Sequence, residues 1–170
     1  MNNFLTKVTT ASAALASALM LSTPVLAASW ADVGQLARLV EGTGTTLSKN
    51  TNAFDPRCVN NQGYYSFDKS RNVDVLVICT DNIDTKDPNA VWEVLSHESI
   101  HTAQACYNGP LFKDVYLPRM FRTLKTDAPH YTKLLNEYPD NHRRLEAEAF
   151  YSELQTTSFV IEAFKKACYR

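Results

Sequence analysis

Four cysteines, Cys58, Cys79, Cys106 and Cys168, stand in a chain whose first residues read as an export signal. Lys7 gives a positive start, and Val8 to Leu26 is an uncharged run rich in Ala, Leu, Ser and Thr. Val25-Leu26-Ala27 then sets small or medium residues where a processing enzyme needs them. The pattern predicts a signal peptide over 1–27 and a mature single domain over 28–170. A membrane anchor is the weaker reading, because no basic cluster follows the run. An even cysteine count in an exported chain predicts two disulfides rather than buried thiols. The pairing expected is Cys58–Cys79 at a hairpin and Cys106–Cys168 between two helix ends. No C-x-x-C occurs, so a zinc ribbon or a thioredoxin-type site has no support.

The pattern of apolar residues supplies the elements. Trp30, Val33, Leu36, Ala37 and Val40 recur at helical spacing, and Gly42 and Gly44 end that helix. Residues 45–61 are polar and read as a loop. Residues 64–67 and 73–79 read as two strands joined by a turn over 68–72, the second rich in β-branched residues. Asp87-Pro88 is a helix start, and Asn108-Gly109-Pro110 a stop. Two helical pieces follow over 111–138, broken near Pro129, and a final helix is expected over about 141–167. The fold class is therefore α+β, mainly helical, with a short antiparallel hairpin before the central helix. Trp30, Trp92, Phe112, Tyr116, Phe121, Leu124, Leu134, Leu135, Phe150, Leu154, Val160, Ile161 and Phe164 are the expected core.

Seventeen basic against eighteen acidic side chains leave a formal charge of −1. No basic surplus points to nucleic acid, and no acidic surplus to a solvating tail. Gly-rich phosphate loops and the G-x-S-x-G serine elbow are absent, so nucleotide and serine-esterase chemistry lack local support.

The chemistry sits in the central helix, at His97-Glu98-Ser99-Ile100-His101. Residues four apart on a helix share a face, so both imidazoles project toward one point. That is the spacing for two nitrogen ligands of tetrahedral Zn²⁺, with Glu98 placed to act as general base on a metal-bound water. A catalytic zinc takes a third protein ligand. The extended motif with a third His is absent, since Gln104 and Tyr107 occupy its Gly and His positions. Arg144-Leu145-Glu146-Ala147-Glu148-Ala149-Phe150 offers two carboxylates instead, Glu146 and Glu148.

H-E-x-x-H followed some tens of residues later by a helical Glu resembles the gluzincin class of zinc metallopeptidases, in particular its small bacterial and phage members. The resemblance covers the motif helix, the strands before it and the last helix. It implies a zincin-like fold and a Glu-x-x-Ala pattern for the third ligand, which Glu146 with Ala149 matches and Glu148 does not. It further implies that the strand before the motif helix, or its pairing partner, lines a cleft for extended peptide. Many gluzincins place Asp or Asn four residues after the ligand to orient a ligand His. Here that position is Phe150, a departure that leaves the orienting group unassigned.

Glu93 shares the face of His97 and His101 and is expected to be solvated. His130, His142, Tyr131 and Tyr151 are available to stabilise an oxyanion, yet each reads more simply as a packing or surface residue. Arg143 and Arg144 lie unfavourably near a helix start and are expected to pair with acidic neighbours. The functional expectation is a secreted or periplasmic zinc metallopeptidase. His97, His101 and Glu146 would hold Zn²⁺, and Glu98 would activate water. Its partner would be a peptide or protein substrate, with no nucleic acid and no membrane after signal cleavage. The competing expectation is a non-catalytic exported zinc-binding domain acting in the cell envelope.

Overall fold

The computed structural model describes residues 27–169, so the expected signal peptide, Ala27 apart, lies outside the described residues. Helix α1, Trp30–Gly42, begins at a reciprocal cap in which Ser29 and Asp32 each satisfy the other's backbone N–H. Leu36 and Val40 turn its inner face to the core. Strand β1, Thr46–Asn50, follows and pairs in parallel with β3, Val73–Cys79. Strand β2, Gly63–Asp68, pairs antiparallel with β3 on its other side, giving the order β1-β3-β2. The expected hairpin is present, but the sheet has three strands and is mixed. β1 falls where the sequence reads as loop. Its residues, Thr-Leu-Ser-Lys-Asn, are polar apart from Leu47, which suits an edge strand that only half buries its side chains.

β3 is central and apolar on both faces, as a strand covered twice must be. Leu76 and Ile78 join the main core with α1 and the helices described next. Val77 and Cys79 face the other way, onto Cys58 and Tyr64. The Cys58–Cys79 disulfide forms as expected. It fastens the short 3-10 turn Pro56–Val59 over the outer face of β3 rather than closing the base of the hairpin.

Helix α2, Pro88–Tyr107, starts at the Asp87 cap and ends at Asn108 in the left-handed conformation, as the punctuation predicts. It carries the H-E-x-x-H motif. It packs on α1, on both hairpin strands, on α5 (Asp140–Glu153) and on α6 (Thr157–Cys168). Cys106–Cys168 ties the C-terminal end of α2 to that of α6. Between them, α3 (Leu117–Asp127) and α4 (Pro129–Leu135) meet at the expected break and build a second small core of Met120, Leu124, Ala128, Tyr131 and Leu135 with Ala147 and Phe150 of α5.

Two further expectations change. The expected final helix is two, because Thr156 leaves helical backbone and caps α6 by accepting from the Phe159 N–H. Trp30 and Tyr116 lie more than half exposed, and Phe121 is exposed on the outer side of α3, so these three leave the expected core. No helix among the described residues is long and apolar enough to cross a membrane.

Candidate metal centre

His97 and His101 project from one face of α2, with their Nε2 atoms 3.3 Å apart. Glu146 Oε2 from α5 lies 3.5 Å from each of those nitrogens. Three donor atoms from two helices thus form a near-equilateral triangle in a largely buried setting. Burial by itself would raise the Glu146 carboxyl, yet the two imidazoles overcome this and hold it well below the usual carboxylate range. Burial disfavours charge on His97 and His101, but Glu146 and neighbouring carboxylates win and raise both imidazoles.

This donor set fits a metal ion. Two neutral imidazole lone pairs and a carboxylate aimed at one another repel unless a cation or proton sits between them. Donors about 2.0–2.1 Å from a tetrahedral zinc stand roughly 3.3–3.5 Å apart, which is the size of the observed triangle. His97, His101 and Glu146 are grouped closely enough to share one ion.

The sequence left Glu146 and Glu148 as alternatives, and the helix separates them. Two residues of helix turn by about 200°, so they leave α5 on opposite sides. Glu148, fully buried, faces the segment after α2. It accepts from the Leu111 N–H at 2.8 Å, the Phe112 N–H at 3.2 Å and the Gln104 side-chain amide at 3.1 Å. It is neither a donor of the triangle nor the surface residue that its sequence context suggests.

Glu98 is buried at the foot of the site, and burial raises its carboxyl against the opposing pull of the two imidazoles. Gly63 of β2 passes directly over it. A Cβ at Gly63 would stand 2.8 Å from the Val77 carbonyl and 3.4 Å from Glu98 Cγ, besides striking Val94. Only glycine lets β2 lie this close to α2. No local pattern marks this position, because the atoms that crowd it belong to Val77, Val94 and Glu98, well removed along the chain.

Both histidines are held from behind. His101 Nδ1 meets Gln104 Oε1 at 2.9 Å, and the Gln104 amide nitrogen donates to the Leu145 carbonyl at 3.0 Å. His97 Nδ1 meets Glu153 Oε1 at 2.5 Å. Tyr131 donates its hydroxyl to the other Glu153 oxygen. Phe150, at the position where the class resemblance implies a polar orienting group, stacks on Tyr131 at 4.4 Å and meets His97 edge-on at 4.8 Å. Glu93 is not solvated: burial and the Glu153 charge push its carboxyl up to about 7.

Tyr138, which was not among the sequence candidates, sets its hydroxyl against Glu146, and burial first, then the nearby carboxylate charges, raise that phenol strongly. Tyr151 packs with Phe112 and Phe159 instead. His130 lies exposed beside Tyr131, and His142 is half-buried near the start of α5. Arg143 and Arg144 do find acids, at Asp140 (2.8 Å) and Asp114 (2.7 Å).

Against known proteins, the model of one family, described as a domain of unknown function (DUF8637), matches residues 33–169. The chain belongs to the DUF8637 family. No curated protein and no solved structure matches it. The matched span of this DUF8637 domain runs from α1 to the end of α6 and so contains every residue of the triangle.

Proposed function

We propose that this DUF8637 protein is an exported zinc-dependent hydrolase of peptide bonds with a zincin-like fold. The observation that carries the reading is the His97, His101 and Glu146 triangle, with Glu98 directly beside its first histidine. Two imidazoles and one carboxylate suit a catalytic zinc, which keeps its remaining position for water or substrate. Zinc bound there would lower the pKa of its water and polarise a scissile carbonyl.

The chain's own residues do the rest. Glu98, the one motif carboxylate outside the triangle, takes the proton from the attacking water and returns it to the leaving amine. Its buried setting favours that exchange, since burial lifts a carboxylate toward the pH at which it can both accept and give. Tyr138, whose hydroxyl meets Glu146 at the site, could donate to an oxygen that gains charge during attack. The two disulfides agree with an oxidising, exported setting.

Glu98→Gln keeps shape and hydrogen bonding but removes the base. Zinc content should stay stoichiometric while hydrolysis of a peptide library falls by about 10²–10⁴. Hydrolysis at the wild-type rate in this variant would sink the mechanism. Stoichiometric zinc with no hydrolysis by the wild type would favour the non-catalytic envelope domain.

A further inference from the structure

Residue 150 is Phe, and no polar group stands one turn beyond Glu146 on α5. Glu153 lies seven residues beyond Glu146, which on a helix is two turns and nearly the same face. Its side chain is 6% exposed, and its two oxygens are divided between two partners. One meets His97 Nδ1 at 2.5 Å, and the other takes the Tyr131 hydroxyl. A carboxylate this deeply buried needs such partners to be tolerated at all.

We infer that Glu153 and Tyr131 form a positioning pair that holds His97 in the tautomer required for metal binding. The inference rests on the zinc reading above and concerns how this chain prepares the site. With Nδ1–H donated to Glu153, the Nε2 lone pair is the one left facing His101 and Glu146. The carboxylate also makes the imidazole a stronger donor, because negative charge behind the ring favours positive charge in front of it. Tyr131 keeps Glu153 from rotating away, and its own ring is fixed by stacking on Phe150. Glu93 faces the same hydroxyl from α2, so the pair is bounded on both sides by the helices that carry the triangle.

Neither residue touches the three donor atoms, so the role is read through the metal and not through activity. The experiment measures zinc affinity by competition with a chromophoric chelator, together with the visible spectrum of the cobalt-substituted protein and the melting temperature of the metal-free protein. Glu153→Gln, which keeps an acceptor but loses the charge, should weaken zinc by about 10- to 100-fold and shift the cobalt bands. Tyr131→Phe, which keeps the ring stack, should weaken zinc severalfold in the same direction. Zinc affinity and cobalt spectrum both unchanged in the two variants would overturn the inference, even if the metal-free protein melts lower. Should Glu153→Gln fail to fold, Tyr131→Phe alone decides, on the same criterion. A wild type that binds neither zinc nor cobalt would instead overturn the metal reading itself.

Discussion

Glu146 and Glu148 sit two residues apart on α5, both buried, and solve the cost of burial in opposite ways. Glu146 faces two imidazoles whose lone pairs compete with it for the same space. Glu148 faces three N–H donors, two from backbone and one from Gln104. The first arrangement is frustrated until a cation or proton occupies it. The second is complete as it stands. A site prepared for a ligand and a structural anchor can therefore be told apart by asking whether the buried charge is already satisfied. Burial alone does not separate them.

Glu146→Ala should break the comparison hardest. It removes one of three donors, so zinc affinity should drop by about a thousandfold or more, while the metal-free melting temperature moves much less. Glu148→Ala should do the reverse. It strands the Leu111 and Phe112 amides and takes from the half-buried Arg144 one of its two acidic neighbours, 3.6 Å away, leaving Asp114 as the other. Stability should fall by about 2–4 kcal/mol, or roughly 10 °C in melting temperature, with His97, His101 and Glu146 left in place. If Glu148→Ala strips zinc and Glu146→Ala does not, the two roles are exchanged.

Gln104 belongs to both sides, since it accepts from His101 and donates to Glu148. Gln104→Ala should therefore show both effects in reduced form: about tenfold in zinc affinity and about 1 kcal/mol in stability. A change in only one of the two would show that the sides are uncoupled.

Asp55 sharpens the comparison as a third buried carboxylate, satisfied by a cation. Hydrogen bonds from Arg57, at 3.0 Å to each oxygen, hold it down to about 2, against the opposing effect of burial, and Tyr64 also donates to it. Its unfolded value is 3.8, so the folded form is the stronger acid. The stability it contributes is complete above about pH 4 and is lost as pH falls toward 2. Asp55→Asn should cost about 1 kcal/mol at pH 7, discounted for solvent screening, and the gap from wild type should close over that acid range. A gap independent of pH would assign the loss to packing instead.

The motif, the hairpin and the α+β class were legible because each rests on local rules, and the presence of disulfides because an even cysteine count behind an export signal favours pairing. Helical spacing brings His97 and His101 together whatever the rest of the chain does, and Asp87-Pro88 and Asn108-Gly109 bound their helix by backbone preference alone. The parallel strand β1 was not legible, because a polar edge strand lacks the alternation that marks a half-buried one. The break at Thr156 is masked in the sequence because the apolar spacing on either side suits one continuous helix, and a Thr caps a helix only where the backbone has already left it.

What the sequence by itself determined is the pair of imidazoles and the Glu98 carboxylate beside them, because residues four apart and adjacent on one helix have no freedom to part. Only the tertiary structure decided the third donor and the groups behind the histidines. In Leu145-Glu146-Ala147-Glu148-Ala149-Phe150, five consecutive residues from Glu146 are buried, so no polar face of α5 marks which carboxylate meets α2. That choice follows from the rotation of α5 between the main core, which takes Ala149, and the small core of α3 and α4, which takes Ala147 and Phe150. The same rotation turns Glu153 onto His97, a contact across 56 residues of sequence that no local spacing encodes.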